Sequence, residues 1–289
     1  MASLDEYQDK YRSISFERRE GILEIRLHGP DGGPYIFDEQ SHHDFGRAFT
    51  DVAQDTGNRV VILTGTGDTF CTHFDYGGFI ELIKADVNEA WSKIRSDGRR
   101  MLQAFLDIEV PVIAAINGPV VTHSELPVLA DVVLAAEDTF FQDATHFATG
   151  GFPPGDGMNI VWTTLLGLNR GRYFLMTGER LPVTEAHRLG VVAEVLPRDE
   201  LLARAWELAR QWTRSSNATL RGTRSSLNSE WRRLMGEQLY ATLSYEALAG
   251  VAEPLVEMPT PSIVDLAAGS LPMNALCRPA ERVRAKEAR

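Results

Sequence analysis

Residues 111–157 read PVIAAINGPVVTHSELPVLADVVLAAEDTFFQDATHFATGGFPPGDG. Two short apolar runs, Val112–Ile116 and Val132–Ala136, each stop at turn-forming sequence, as strands buried on both faces of a parallel sheet do. The turns after them carry His123, His146 and Asp156. Loops leaving the ends of buried strands are where a scaffold presents chemistry to a ligand. Imidazole is the side chain best suited to move protons near neutral pH, so two of them there point to acid–base work.

The pattern extends outward from this stretch. Ile14–Glu17 and Ile22–Leu27 flank Arg19-Glu20-Gly21 and read as a hairpin, with Leu23, Ile25 and Leu27 alternating with Glu24 and Arg26. Phe45, Phe49 and Val52 recur at helical spacing between Asp38 and Gln54, and Val60–Thr64 is another buried strand. Asp86 with Glu89 resembles a capping box that opens a long amphipathic helix through Phe105. Thr139–Phe141 reads as a strand, Asp156–Leu166 and Arg170–Met176 as helices, and Gly178 stops the second. A short helix from Thr184 to Gly190, a strand at Val191–Leu196 and a helix at Asp199–Thr213 follow. Strands alternating with helices imply an α/β fold with a parallel sheet. The division expected is a core over 1–215, a helical region over 216–250 and a proline-containing extended arm over 251–289.

Bulk properties narrow the function. Of 289 residues, 44% are hydrophobic, enough for a sizeable core. The net charge of −11 repels phosphate backbones, so nucleic acid is not an expected partner. The dense basic stretch Arg221–Arg233 also holds Glu230 and reads as a solvated helix face. Apolar runs such as Val110–Ile116 fall far short of the roughly 20 residues of a membrane span. With a polar start and two cysteines, Cys71 and Cys277, a cytoplasmic, reduced protein without a leader is expected.

Five segments carry a family resemblance over roughly residues 10–250: VVILTGTGDTFCTHFD, PVIAAINGP, ELPVLADVVLAAEDTFFQ, LLGLNRGRYFLMTGERLPVTEAHRLGVVAEVLP and ELLARAWELAR. In this order the chain resembles the crotonase (enoyl-CoA hydratase/isomerase) superfamily. The resemblance implies a crotonase-like spiral of ββα units with a helical C-terminal region used in trimer packing, and a homotrimer or dimer of trimers. Ordinary members hold a CoA thioester in an oxyanion hole of two backbone N–H groups, in a small-residue motif and a triple-glycine turn. Here the first place reads Cys71-Thr72-His73-Phe74-Asp75, and the glycine turn is replaced by Thr122-His123-Ser124. Side chains there obstruct close backbone approach. Glu125 falls at one catalytic acidic position of the hydratases, while the second lies in the rewritten loop around Thr145-His146, so paired-glutamate hydration is not expected.

The rewritten pattern is similar to the β-diketone hydrolase branch, typified by 6-oxocamphor hydrolase, which cleaves 1,3-diketones by a retro-Claisen route without CoA. The resemblance maps that branch's functional histidines to His123 and His146, its aspartate to Asp156 and its C-terminal-helix glutamate to Glu246. Pocket aromatics correspond to Phe37, where the branch has tryptophan, and Phe79; FATGGFPPGDG is one residue longer. The expected chemistry is hydrolysis of a cyclic, apolar 1,3-diketone, with His146 oriented by Asp156 activating water, His123 donating to the enolate and Glu246 placing the water. His73 is a further candidate for the pocket, whereas His28, His42, His43 and His187 read as surface or helix residues.

Blander readings stand beside these. Asp156, between glycines and ahead of an apolar helix, also reads as an N-cap, and Glu246 as a solvent-facing helix residue. Asp143-x-x-His146 is a fragment of a metal motif lacking a third ligand at recognisable spacing, so neither metal nor cofactor is expected. The alternatives for the whole chain are a CoA-dependent hydratase, isomerase or hydrolase, another enolate reaction at the same histidines, or a catalytically silent oligomeric scaffold.

Overall fold

The computed structural model of the chain describes residues 2–254 and 261–269. In chain order the strands are β1 (Ile14–Arg19), β2 (Ile22–Leu27), β3 (Ile36–Phe37), β4 (Val60–Thr64), β5 (His73–Asp75), β6 (Val112–Ile116), β7 (Val132–Ala136), β8 (Phe140–Phe141), β9 (Leu181–Pro182), β10 (Glu194–Leu196) and β11 (Ile263–Asp265). The helices are α1 (Leu4–Tyr7), α2 (Glu39–Gln54), α3 (Gly77–Ala85), α4 (Val87–Asp107), α5 (Glu125–Val128), α6 (Met158–Leu166), α7 (Leu168–Thr177), α8 (Val183–Arg188), α9 (Arg198–Trp212), α10 (Asn217–Leu227) and α11 (Ser229–Ala252).

A six-stranded sheet in the order β1-β2-β4-β6-β7-β10 forms the frame. The β1–β2 pair is an antiparallel hairpin, and β2, β4, β6, β7 and β10 run parallel. Glu20 and Gly21 take positive φ of 56° and 79° at the two-residue hairpin turn, the backbone twist such turns require. Both faces of the sheet are covered, which is why β4 and β6 are apolar at every position but Thr64. Ile22, Val60, Ile62, Ile113 and Leu134 pack under Leu201, Ala205 and Ala209 of α9. The alternate residues, including Val61, Leu63 and Ala114, share the other core with Phe45 and Phe49 of α2 and Met101 and Phe105 of α4.

Each long parallel strand is followed by a short one in a second layer: β2 by β3, β4 by β5, β7 by β8. After β6 the corresponding position is Val120, bridged to Cys71 on one side and Phe141 on the other. This repetition of long strand, short strand and helix is the ββα spiral. The short layer comprises β11-β5-β3 and β8-β9. With two or three residues each, these strands carry no readable alternation, and β3, β5 and β11 have no counterpart among the sequence-based elements. The run after Ser215 is two helices meeting at Asn228. Of the expected arm, residues 261–269 are described; β11 lies antiparallel to β5, and Leu266 N–H donates to Thr72 O.

Buried Arg224 ties α10 to the frame. Its guanidinium donates to the carbonyls of Ile108 (2.6 Å) and Phe105 (3.3 Å) and pairs with Asp131, which also accepts from Val112 N–H. Removing one member of a buried pair leaves the other charge uncompensated. Arg224→Ala is expected to lower stability by roughly 3–5 kcal/mol, read from urea unfolding midpoints.

Candidate active site

Thr122, His123 and Ser124 form the turn between Val120 and α5, and His123 has φ 47°, a left-handed backbone rare outside glycine. The resemblance implied glycine at this turn. The chain places an imidazole on this backbone, at a strain of roughly 1–3 kcal/mol of the kind that concentrates at functional sites. His123 Nδ1 lies 2.8 Å from Glu125 Oε1 and 3.4 Å from Asp156 Oδ2.

After β8 a second turn is wound around Asp143. Its Oδ1 accepts from the backbone N–H groups of Thr145 (3.2 Å) and His146 (3.1 Å) and pairs with His146 Nδ1 at 2.9 Å. Nε2 of His146 is then left facing Asp156 Oδ2 at 3.5 Å and Glu246 Oε1 at 3.8 Å. This corrects one expectation: the carboxylate that orients His146 through Nδ1 is Asp143. Asp156 instead places one oxygen, Oδ2, between the two imidazoles.

The loop carrying Asp156 is docked on the helix carrying Glu246. Thr242 Oγ1 donates to Gly155 O at 2.8 Å, and a Cβ at Gly155 would overlap the carbonyl of Thr242. Asp156 does not cap the next helix, as the bland reading had it. The N-cap of α6 is Gly157, at φ 102°, and its side-chain cap is absent. Asp156 Oδ1 is buried without a hydrogen-bond partner. A Cβ at Gly157 would also overlap Leu102. Gly157→Ala is therefore expected to cost at least about 2 kcal/mol in stability and to shift Asp156, lowering activity by more than the same loss of stability imposed elsewhere, for instance by a milder Arg224 variant. Thermal unfolding and specific activity of the soluble protein check it.

His123, His146, Asp156 and Glu246 share a cavity of about 90 Å³. Phe37 and Phe79 line it as expected, together with Phe74, Tyr76, Trp91 and Phe152, which the sequence reading did not single out. Among the described residues, no lysine or arginine lines it. His73 is not among them either: it sits in β5 with Nδ1 3.0 Å from Thr72 Oγ1, and the alternation of the strand brings Phe74 to the cavity in its place. His42, read from the sequence as an ordinary helix residue, is buried and lines the cavity, its ring stacked on His123 at 5.6 Å. Gly98 of α4 gives it room, since a Cβ there would stand 3.3 Å from His42 Nε2. Helical spacing from Phe45 and Phe49 places His42 on the inward face of α2, the signal by which it was detectable.

Burial and mutual charge set the protonation of the cluster. His42 is pushed down to about 3, first by burial and then by His123, so it is neutral. Burial by itself lowers His146, but Asp143 and Asp156 outweigh it and hold the imidazole well above its ordinary value. His123 is likewise lowered by burial and raised on balance by Glu125 and Asp156. Burial raises Glu125 to about 7 and also raises Glu246. Two trios, His123–Glu125–Asp156 and His146–Asp156–Glu246, hold one ligand atom each within 4.8 Å of one another. Their donor types suit a divalent cation, and the same atoms suit proton transfer.

Comparison with known proteins places this geometry in a lineage. The family model for enoyl-CoA hydratase/isomerase matches residues 17–247. The chain belongs to the enoyl-CoA hydratase/isomerase family. Among solved structures, a β-diketone hydrolase from the cyanobacterium Anabaena sp. PCC 7120, bound to (S)-3-oxocyclohexyl acetic acid, is 42% identical, with a TM-score of 0.81 over 85% of this chain and 97% of that one. An enoyl-CoA hydratase/isomerase from Mycobacterium paratuberculosis is 26% identical, with a TM-score of 0.76 over 84% and 95%. Carnitinyl-CoA dehydratase from Salmonella enteritidis is 32% identical over 71% of this chain and 76% of its own length. The chain also matches human chromodomain Y-like protein 2 at 28% identity, spanning 36% of that protein's length. No helix among the described residues is long and apolar enough to cross a membrane.

Proposed function

We propose that the chain is a hydrolase that cleaves the carbon–carbon bond between the carbonyls of a compact, uncharged, cyclic 1,3-diketone, with water as nucleophile and without CoA. The observation that carries this reading is the pair of imidazoles joined through Asp156 Oδ2 at the end of an aromatic cavity. Breaking a C–C bond hydrolytically requires a base for water and a donor for the enolate that leaves, and two linked imidazoles supply both. The ligand of the Anabaena relative fits the product class, because water opening a bicyclic 1,3-diketone yields a ring ketone bearing an acid side chain.

In this reading water sits at Nε2 of His146, beside Glu246. Nε2 takes a proton from the water, whose oxygen bonds to one carbonyl carbon; Asp143 stabilises the resulting imidazolium. The C–C bond then breaks, its electron pair passing into the second carbonyl as an enolate. His123 gives the enolate carbon a proton, and one water has been consumed. The proton left on His146 leaves to solvent with the product, and Nε2 of His123 regains one from solvent; Asp156, within 3.4 Å of His123 and 3.5 Å of His146, balances the charge of both imidazoles meanwhile.

Incubation with a panel of cyclic 1,3-diketones in ¹⁸O-water is the direct test: keto acid carrying one labelled oxygen is expected. Absence of turnover across the panel together with tight binding of CoA esters overturns the reading. Phe79→Ala, which removes one aromatic wall, is expected to raise KM roughly 10-fold or more with kcat less affected, as uniform binding loss does. A homotrimer or dimer of trimers belongs to the same proposal. Exposed Leu168, Tyr173 and Met176 on α7 and Tyr240, Tyr245 and Leu248 on α11 support it, and light scattering of the purified protein checks it.

A further inference from the structure

Glu125 is fully buried and does not line the cavity. Its Oε1 meets His123 Nδ1 at 2.8 Å, and its Oε2 has no hydrogen-bond partner. The position is the one where the hydratase resemblance places a catalytic acid acting on substrate, yet here the side chain is closed off from any ligand by His123 itself. The titratable groups facing this pair come from four other places: Cys71 in the short-strand layer, His42 on α2, Asp156 ahead of α6 and His146 after β8, with Glu246 of α11 beyond. Of these only Asp156 is within ion-pair distance of Nδ1, at 3.4 Å.

We propose that Glu125 is a positioning residue that keeps a proton on Nε2 of His123, the nitrogen turned away from both carboxylates. The proposal rests on the function proposed above and assigns a part of its machinery. Two protonation forms of the pair serve equally. A Glu125 carboxylate beside an imidazolium leaves N–H on both ring nitrogens. A protonated Glu125 carboxyl donating to Nδ1 leaves the neutral ring as its Nε2–H tautomer. In either form the cavity meets a donor, and the raised values of both groups keep one shared proton in the pair near neutral pH. When Nε2 gives its proton to the enolate, the imidazolium becomes a neutral ring whose Nδ1–H is held by the Glu125 carboxylate. No other group needs to move. The left-handed backbone at His123 acts in the same direction, since it sets Nδ1 toward residue 125 two positions along the chain.

The test uses full-length protein with ¹⁵N-labelled histidine, the His123 resonances being assigned by their loss in His123→Asn. In Glu125→Gln the proton affinity of His123 is expected to fall by at least about one pH unit, because a neutral amide replaces the nearest charge. Turnover of the diketone is expected to fall roughly 10²-fold, with KM within about threefold, and Glu125→Asp to recover part of both changes. An unchanged His123 titration in Glu125→Gln overturns the proposal, as does wild-type kcat with a wild-type pH profile. The titration needs no substrate, so it decides the role of Glu125 even if the wild-type protein hydrolyses no diketone, an outcome that would sink the proposed function alone. If Glu125→Gln fails to fold, the titration of Glu125→Asp decides in the same way: His123 moving down supports the proposal and His123 unmoved overturns it.

Discussion

Replacing His146 with alanine is expected to lower kcat for the diketone by about 10³-fold or more, at a KM within a few-fold of wild type. The imidazole is the group whose Nε2 faces Asp156 and Glu246 at the cavity end, and without it no other nitrogen lies beside the proposed water. Removing it has a structural cost as well. Asp143 and Glu246 would then lose their cationic partner in a buried site, with only His123 left beside Asp156, a costly arrangement for buried charges. The loss of turnover must therefore be separated from loss of fold. Circular dichroism and the unfolding temperature establish that the variant is folded, and binding of a keto-acid product establishes that the cavity is intact. A folded, ligand-binding His146→Ala protein that turns over near the wild-type rate removes His146 from the chemistry.

The second large effect is expected from Asp143→Asn, up to roughly 10⁴-fold in kcat, with the pH profile displaced. Asp143 Oδ1 accepts from two backbone N–H groups and holds His146 Nδ1 at 2.9 Å. An asparagine turned so that its NH₂ meets Nδ1 forces the proton onto Nε2, and that nitrogen loses the lone pair needed to accept from water. The charge matters in addition to the geometry. His146 works as a base only when unprotonated, and Asp143 and Asp156 hold its proton well above the ordinary imidazole value of about 6.5. Wild-type kcat/KM is therefore expected to rise with pH along a limb lying above that value. With one carboxylate neutralised the imidazole releases its proton more readily, so the residual activity of Asp143→Asn has this limb at lower pH. A profile that stays in place in Asp143→Asn but moves in Asp156→Asn returns the orienting role to Asp156.

Much of the scaffold was legible because its physics is local. Val60–Thr64, Val112–Ile116 and Val132–Ala136 were readable to the residue, since strands covered on both faces are near-continuous apolar runs. Asp86 was recognisable as a helix start because capping acts within one turn, and Gly178 as a stop because glycine takes the left-handed backbone that ends a helix, here at φ 62°. The two-residue β3 and three-residue β5 and β11 were not, because so few residues show no alternation and their pairing partners lie far off in the chain.

The site divides along the same line. His123, His146 and Asp156 stood out from their places after apolar runs, Glu246 was named only through the family resemblance, and the cavity collects all four. Their partnerships could not be read there. Asp143 was visible three residues before His146, but only as part of an incomplete metal pattern; the turn that folds its carboxylate back onto Nδ1 depends on the fixed end of β8. His42 looked like a helix residue until α2 packed against α4 and set its ring against His123. Asp156 looked like a cap until Gly155 and Thr242 docked its loop on α11.

By itself the amino-acid sequence determined which strands are buried and where the helices begin, because burial pattern and capping each act over a few residues; that His123 stands where glycine is usual came only from the family resemblance. Only the tertiary structure decided which carboxylate serves which imidazole. Two of those contacts are hydrogen bonds of 2.8 and 2.9 Å made inside the turns that carry His123 and His146, and the other three are ion-pair contacts of 3.4–3.8 Å that exist only because the Asp156 loop and α11 pack against those turns.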